Sequence, residues 1–195
     1  MRLSYLFVAV IIVSCGQNNS TRQTATDSVK INTDTVHEVV QPPVDSAAIR
    51  IAEFEKRLSA SSGSNWKVVN DSIAHWPKDV FDYFIKGKRK DNPDYPYIAS
   101  GDFDGDQKTD TAFLVTNETR TDYQLAISLS SGRIVYWKED IDLAAITTFS
   151  KKELNGWNGE KIKMKADGIE VEYYEKAAFV LYWTGSAFKR VQTAD

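Results

Sequence analysis

The spacing of apolar residues changes three times along this chain. Leu6 to Val13 is an unbroken apolar run behind Met1-Arg2. From Gly16 to about Asp45 large apolar groups are scattered without a period. Ile51, Phe54 and Leu58 then recur at helical spacing, with Ile49 at the edge of the same face and Gly63 ending the pattern. A second, shorter helix is predicted behind Pro77, through Lys78-Asp79-Val80-Phe81-Asp82-Tyr83-Phe84 and closed by Gly87. Beyond residue 96 the period becomes two. Thr111 to Val115 reads as a strand, and Tyr123 to Leu129 alternates large apolar with small or polar groups. Ser130-Ser131-Gly132 turns the chain into a strand over 133–138. Lys161 to Lys165 and Ile169 to Tyr173 flank Ala166-Asp167-Gly168, and Asp-Gly predicts a hairpin there. A last hairpin joins 178–183 to 187–191 through Thr184-Gly185-Ser186. The expected fold is α+β, two N-terminal helices followed by a curved antiparallel β-sheet or meander, or a small barrel.

Length and composition set the organisation. The folded part is expected over 46–195, about 150 residues and therefore one domain. At 42% hydrophobic and 12% aromatic residues a core can be built. A formal charge of -3 gives no reason to expect a nucleic-acid partner. Residues 1–14 read as an export signal: a positive start, a short apolar run, then small residues before Cys15. The run falls short of the roughly 20 residues a spanning helix needs. Cys15 is the single cysteine, so no intrachain disulfide accounts for it. Residues 15–45, polar and ending at Pro42-Pro43, cannot bury enough surface to offset chain entropy and are expected to be a flexible tether. As a coil such a segment spans roughly 30 Å.

Ile12-Val13-Ser14-Cys15 resembles the bacterial lipoprotein lipobox. The resemblance implies cleavage before Cys15, lipidation of its thiol, and a protein anchored to a membrane rather than spanning it. Gly16 in place of Asp, by resemblance to enterobacterial lipoproteins, implies no inner-membrane retention and an outer-membrane address.

The stretch richest in chemistry is Asp102-Phe-Asp-Gly-Asp-Gln-Lys-Thr-Asp110. Asp102, Asp104, Asp106 and Asp110 stand at relative positions 1, 3, 5 and 9, with the Lys108 carbonyl at position 7. Oxygen donors at these spacings suit one hard cation, calcium above all. Four carboxylates in a nine-residue turn repel one another unless a cation lies among them. The alternative is a solvated acidic turn, since Asp and Gly are ordinary turn residues. An EF-hand needs a bidentate Glu at position 12, where this chain has Phe113. The loop resembles the calcium loop of FG-GAP and VCBS-type repeats, Asp-x-Asp-x-Asp-Gly-x-x-Asp before an apolar strand. Gln107 departs from it at the Gly position, where a positive φ is often needed and a Cβ costs on the order of 1 kcal/mol. In that reading Asp110 is the expected bidentate ligand. No second copy of the loop recurs, which speaks against a propeller. Trp183-Thr184-Gly185-Ser186-Ala187-Phe188 is similar to a Trp-x-Gly-x-x-Phe hairpin of secreted bacterial β-domains, and the whole chain resembles VCBS-like bacterial lipoproteins.

Other chemistry is sparse. His37 falls in the tether and His75 before the second helix. An acylated Cys15 leaves no Cys–His nucleophile. A Ser–His–Asp triad could use only His75, for which a surface or helix-entry place is the simpler reading, and no His or Cys cluster has zinc-ligand spacing. Glu170 and Glu172 share a strand face about 7 Å apart. They are the material for the alternative function, a glycan-active envelope hydrolase using carboxylates; a solvated sheet face is the simpler reading. The basic run Lys86 to Lys90 could touch anionic lipid or polysaccharide, but a solvated loop balanced by Asp91 and Asp94 is the simpler reading. Among the aromatics, Trp157 in Asn155-Gly-Trp-Asn-Gly159 stands out as a ligand-binding candidate, because a polar loop gives it no automatic place in a core. The expectation is a calcium-stabilised envelope lipoprotein, a binding or structural module for an envelope protein or glycan.

Overall fold

The computed structural model describes residues 46–139, 141, 144–150 and 152–194, which fall in one unit of the chain, Pro43–Asp195. The expected signal peptide, Cys15 and the tether lie outside the described residues.

Helix α1 (Ser46–Ser62) forms as its apolar spacing predicts, and Gly63 at φ 69° ends it, donating to the Ser59 carbonyl. Next come a short strand β1 (Lys67–Val68) and a single helical turn α2 (Asp71–Ala74). The Asn70 side chain caps that turn by accepting from the Ser72 and Ile73 amides. The helix behind Pro77 is three pieces end to end: α3 (Lys78–Val80), a π-helical turn (Phe81–Ile85) and α4 (Lys86–Lys88). It runs through Gly87 instead of stopping there. The basic run is correspondingly helical at Lys86–Lys88 rather than a loop, with Lys86, Lys88 and Lys90 exposed and two of its side chains paired. Arg89 donates two bonds of 2.7 and 2.6 Å to Asp71, and Lys88 reaches Glu172 at 2.6 Å.

The α+β class holds, and every strand pair is antiparallel, but the strands form two main sheets in place of one curved meander. In the first, β3 (Asp110–Thr116) is central. It pairs with β4 (Tyr123–Ser128) on one side and with β1 and β2 (Ile98–Gly101) on the other, and β5 (Ile134–Trp137) extends β4. The second sheet has the order β11 (Phe188–Ala194), β10 (Ala178–Trp183), β9 (Gly168–Tyr173), β6 (Ala144–Phe149). A separate hairpin joins β7 (Glu153–Asn155) to β8 (Lys161–Lys163).

Alternation sorts the side chains into layers. Leu114, Leu125 and Ile127 of the first sheet meet Ile146, Ile169, Val171, Phe179 and Leu181 of the second in the main core. The opposite face of the first sheet, Phe113, Val115 and Ala126, receives Phe54 and Leu58 of α1. Phe54 stacks on Phe113 with ring centroids 3.9 Å apart. The outer face of the second sheet is covered by the β7–β8 hairpin through Leu154 and Met164 on Val180 and Val191.

The predicted hairpin around Asp167-Gly168 is not formed. β8 pairs with β7, while both edges of β9 are taken, by β6 and β10. Gly168 serves a close approach. A Cβ there would lie 2.7 Å from Val180 Cγ1 and 2.9 Å from Met164 Cε.

Candidate metal centre

The Asp-rich segment is the connection between β2 and β3, closed where Gly101 pairs with Asp110. Phe103 splits it into two sides. Its ring is fully buried in the main core, while Asp102 and Asp104 beside it are half-buried and Asp106 is exposed. Anchoring one aromatic inward leaves the flanking carboxylates on the outer side. Asp102, Asp104 and Asp106 each bring one oxygen within 4.8 Å of the others, a group that can hold a metal ion.

Backbone amides hold these carboxylates in place. Asp102 accepts from Gly105 at 2.8 Å and from Gln107 at 3.1 Å, Asp104 from the Asp106 amide at 3.2 Å, and Asp106 from the Lys108 amide at 2.9 Å. The turn uses positive φ at Gly105, 81°, and at Gln107, 66°. The left-handed conformation expected at position 6 is therefore adopted by a residue with a Cβ.

Asp110 sits differently. It is 1% exposed and its oxygens accept amides from Phe103 at 2.8 Å, Asp104 at 3.2 Å and Ser130 at 2.7 Å. It does not join the three-carboxylate group. Burial pushes its carboxyl up, against the pull of those amides. Asp106 is held below the usual range, first by the Ser130 hydroxyl at 2.6 Å and then by the Lys108 amide. The Lys108 ammonium stands 3.7 Å from the same carboxylate.

Two residues outside the motif complete the setting. Ser130, in the turn after β4, touches Asp106 and Asp110. Asp167, just before β9, accepts from the Asp102 amide at 3.1 Å and donates its own amide to the Asp102 carbonyl at 2.8 Å. Asp-Gly suggested a turn at that position, and only the tertiary fold could reveal the bridge.

The other candidates are dispersed. Trp157 lies in the β7–β8 turn, 65% exposed, its amide fixed to the Gln192 carbonyl at 2.7 Å. Trp137 and Trp183 pack against the main core. His75 ends α2, exposed, 3.2 Å from Arg120. Glu170 and Glu172 are half-buried on β9, and Glu172 is bound by Lys88 rather than facing open solvent. No helix among the described residues is long and apolar enough to cross a membrane.

No family model matches the chain, and no curated protein or solved structure is significantly similar to it.

Proposed function

We propose that this protein is a calcium-stabilised lipoprotein of the bacterial envelope, a binding or structural module carried at the outer membrane on acylated Cys15. The convergence of Asp102, Asp104 and Asp106 oxygens within 4.8 Å carries the metal reading. Calcium takes six to eight oxygens. The spacing supplies the Lys108 carbonyl and Asp110 as further ligands, as in the FG-GAP and VCBS-type loops that the segment resembles. Gln107 at φ 66° supports the same loop geometry. The address rests on Leu6 to Val13 and the Ile12-Val13-Ser14-Cys15 sequence. This reading is preferred to a carboxylate hydrolase because Glu172, one of the two acids available on β9, is tied to Lys88.

Two experiments test it. Calorimetric titration of the purified chain with calcium should give one site, lost in Asp104→Ala; absence of calcium binding would sink the metal reading. Expression with labelled palmitate should label the wild type and not Cys15→Ser. An unlabelled wild type would remove the anchor and the outer-membrane address with it.

A further inference from the structure

Among the described residues, the outer edge of β5 (Ile134-Val135-Tyr136-Trp137) has no hydrogen bond covering it. The other outer edges of the two main sheets are covered at least in part. At β1 the Glu55 carboxylate takes the Val68 amide at 2.9 Å. β6 meets β2 and the residue before Tyr97 through the Ile146 amide on the Pro96 carbonyl and the Thr148 hydroxyl on the Ser100 carbonyl. At β11 the Gln192 carbonyl accepts the Trp157 amide. β5 has no proline, bulge or lysine of the kind that commonly blunts an edge, and Ile, Val, Tyr and Trp all favour strands.

The pairing with β4 decides which backbone groups are free. The Leu129 amide donates to the Arg133 carbonyl, and in the same register Val135 stands opposite Ile127 and Trp137 opposite Leu125. Bonded and non-bonded pairs alternate along antiparallel strands. Val135 and Trp137 therefore turn their N–H and C=O toward β4, while Ile134 and Tyr136 turn theirs outward. Exposed charges of opposite sign bracket the strand, Arg133 before it and Glu139 after it. Arg133 lies 5.4 Å from the Trp183 ring and has no carboxylate at ion-pair distance among the described residues. Glu139 gives one oxygen to Arg190 at 2.7 Å, and its other oxygen has no partner among the described residues.

We infer that β5 pairs antiparallel with the β5 of a second copy of this chain, with Tyr136 on the two-fold axis. In that register Tyr136 exchanges backbone bonds with its counterpart and Ile134 with Lys138. Val135 packs beside Trp137, and Arg133 faces Glu139 at both ends. Centring on Val135 instead would set Arg133 against Trp137 and leave Glu139 unmatched. A register with no residue on the axis would oppose outward groups with inward ones. A strand with a cation at one end and a carboxylate at the other complements its own copy when the two run antiparallel, which favours a second copy over a foreign strand. The inference stands independently of the metal.

The test is sedimentation of the purified chain over a concentration series, under a reducing agent that excludes a Cys15 disulfide. Wild type should form a reversible dimer. Arg133→Glu alone and Glu139→Arg alone each set like charges opposite one another at both ends, and each should raise the dimer dissociation constant at least about tenfold. An equimolar mixture of the two variants, each with its melting transition intact, restores opposite charges at both ends and should dimerise about as tightly as wild type. In the wild-type dimer the Ile134 and Tyr136 amides should exchange with solvent more slowly than in the dilute monomer. A wild type monomeric at millimolar concentration would overturn the inference. So would a dimer undiminished in both single variants, a mixture that stays monomeric, or a dimer whose Ile134 and Tyr136 amides exchange as fast as in the monomer.

Discussion

Asp104 and Asp110 share one loop but answer to different forces. Asp110 is buried and satisfies three backbone amides, so its removal leaves donors without partners whether or not a cation is present. Asp110→Ala should cost about 1–3 kcal/mol in urea unfolding already in chelator, from the stranded amides, and more in calcium, where a ligand is lost as well. A loss seen only in calcium would make Asp110 chiefly a ligand. Asp104 accepts a single 3.2 Å amide, so its substitution isolates the metal. Trp157 contributes little packing at 65% exposure. Trp157→Ala should change stability by less than about 0.5 kcal/mol, and a larger loss would place the ring in a core. Asp71 is held below the ordinary carboxylate range chiefly by its hydrogen bonds to Arg89, with Tyr97 adding to it against the opposing effect of burial. A depressed folded pKa gives stability that is fully present above the usual value, about 4, and lost as pH falls through the folded one. The stability gap between wild type and Asp71→Asn should therefore be present at about pH 6 and shrink below about pH 4. The group is half-exposed, so the gap is small. A gap that grew on acidification would contradict the pairing.

At the scale of elements, β3 decides the architecture. It pairs with three other strands, puts Leu114 into the main core and gives Phe113 to α1. Phe113→Ala removes the ring stacked on Phe54 and should cost about 3–5 kcal/mol in denaturant unfolding. A cost under about 1 kcal/mol would mean that α1 is not docked there. Strands rich in large apolar groups were legible from sequence: β3, β4, β9 and β10, and the β10–β11 hairpin with its turn. β6 was not, because Ala144-Ala145-Ile146-Thr147-Thr148-Phe149 alternates neither in size nor in burial, its first half buried and its second half-buried. Missing β6 left β9 with a free edge, and Asp167-Gly168 then argued for the wrong partner, β8. The four-residue α2 depends on the Asn70 cap and has too few residues for a period. The three clustered carboxylates were legible because their spacing is local. Ser130 and Asp167 were not, because they reach the loop only through the sheet topology.

Across the whole molecule the Asp-rich loop lies where the two sheets are tied together. Asp167 bridges from the second sheet to Asp102, and Ser130 ties the β4–β5 turn to Asp106 and Asp110. Nearby, the Thr148 hydroxyl of β6 donates to the Ser100 carbonyl of β2 at 2.8 Å, and the Ile146 amide to Pro96 at 2.8 Å. A cation that fixes Asp102, Asp104 and Asp106 would therefore stiffen the seam between sheets and stabilise the domain as a unit. A ligand present at a hundred times its dissociation constant adds about 2.7 kcal/mol. For a domain of this size that is about 5–10 °C in melting temperature. Thermal unfolding of the purified chain in excess calcium and in chelator, beside Asp104→Ala, is the most direct test. A rise of that order in the wild type, absent from Asp104→Ala, is the predicted result. Coincident wild-type curves in calcium and chelator would contradict it, leaving the acidic loop a turn held by its own amides.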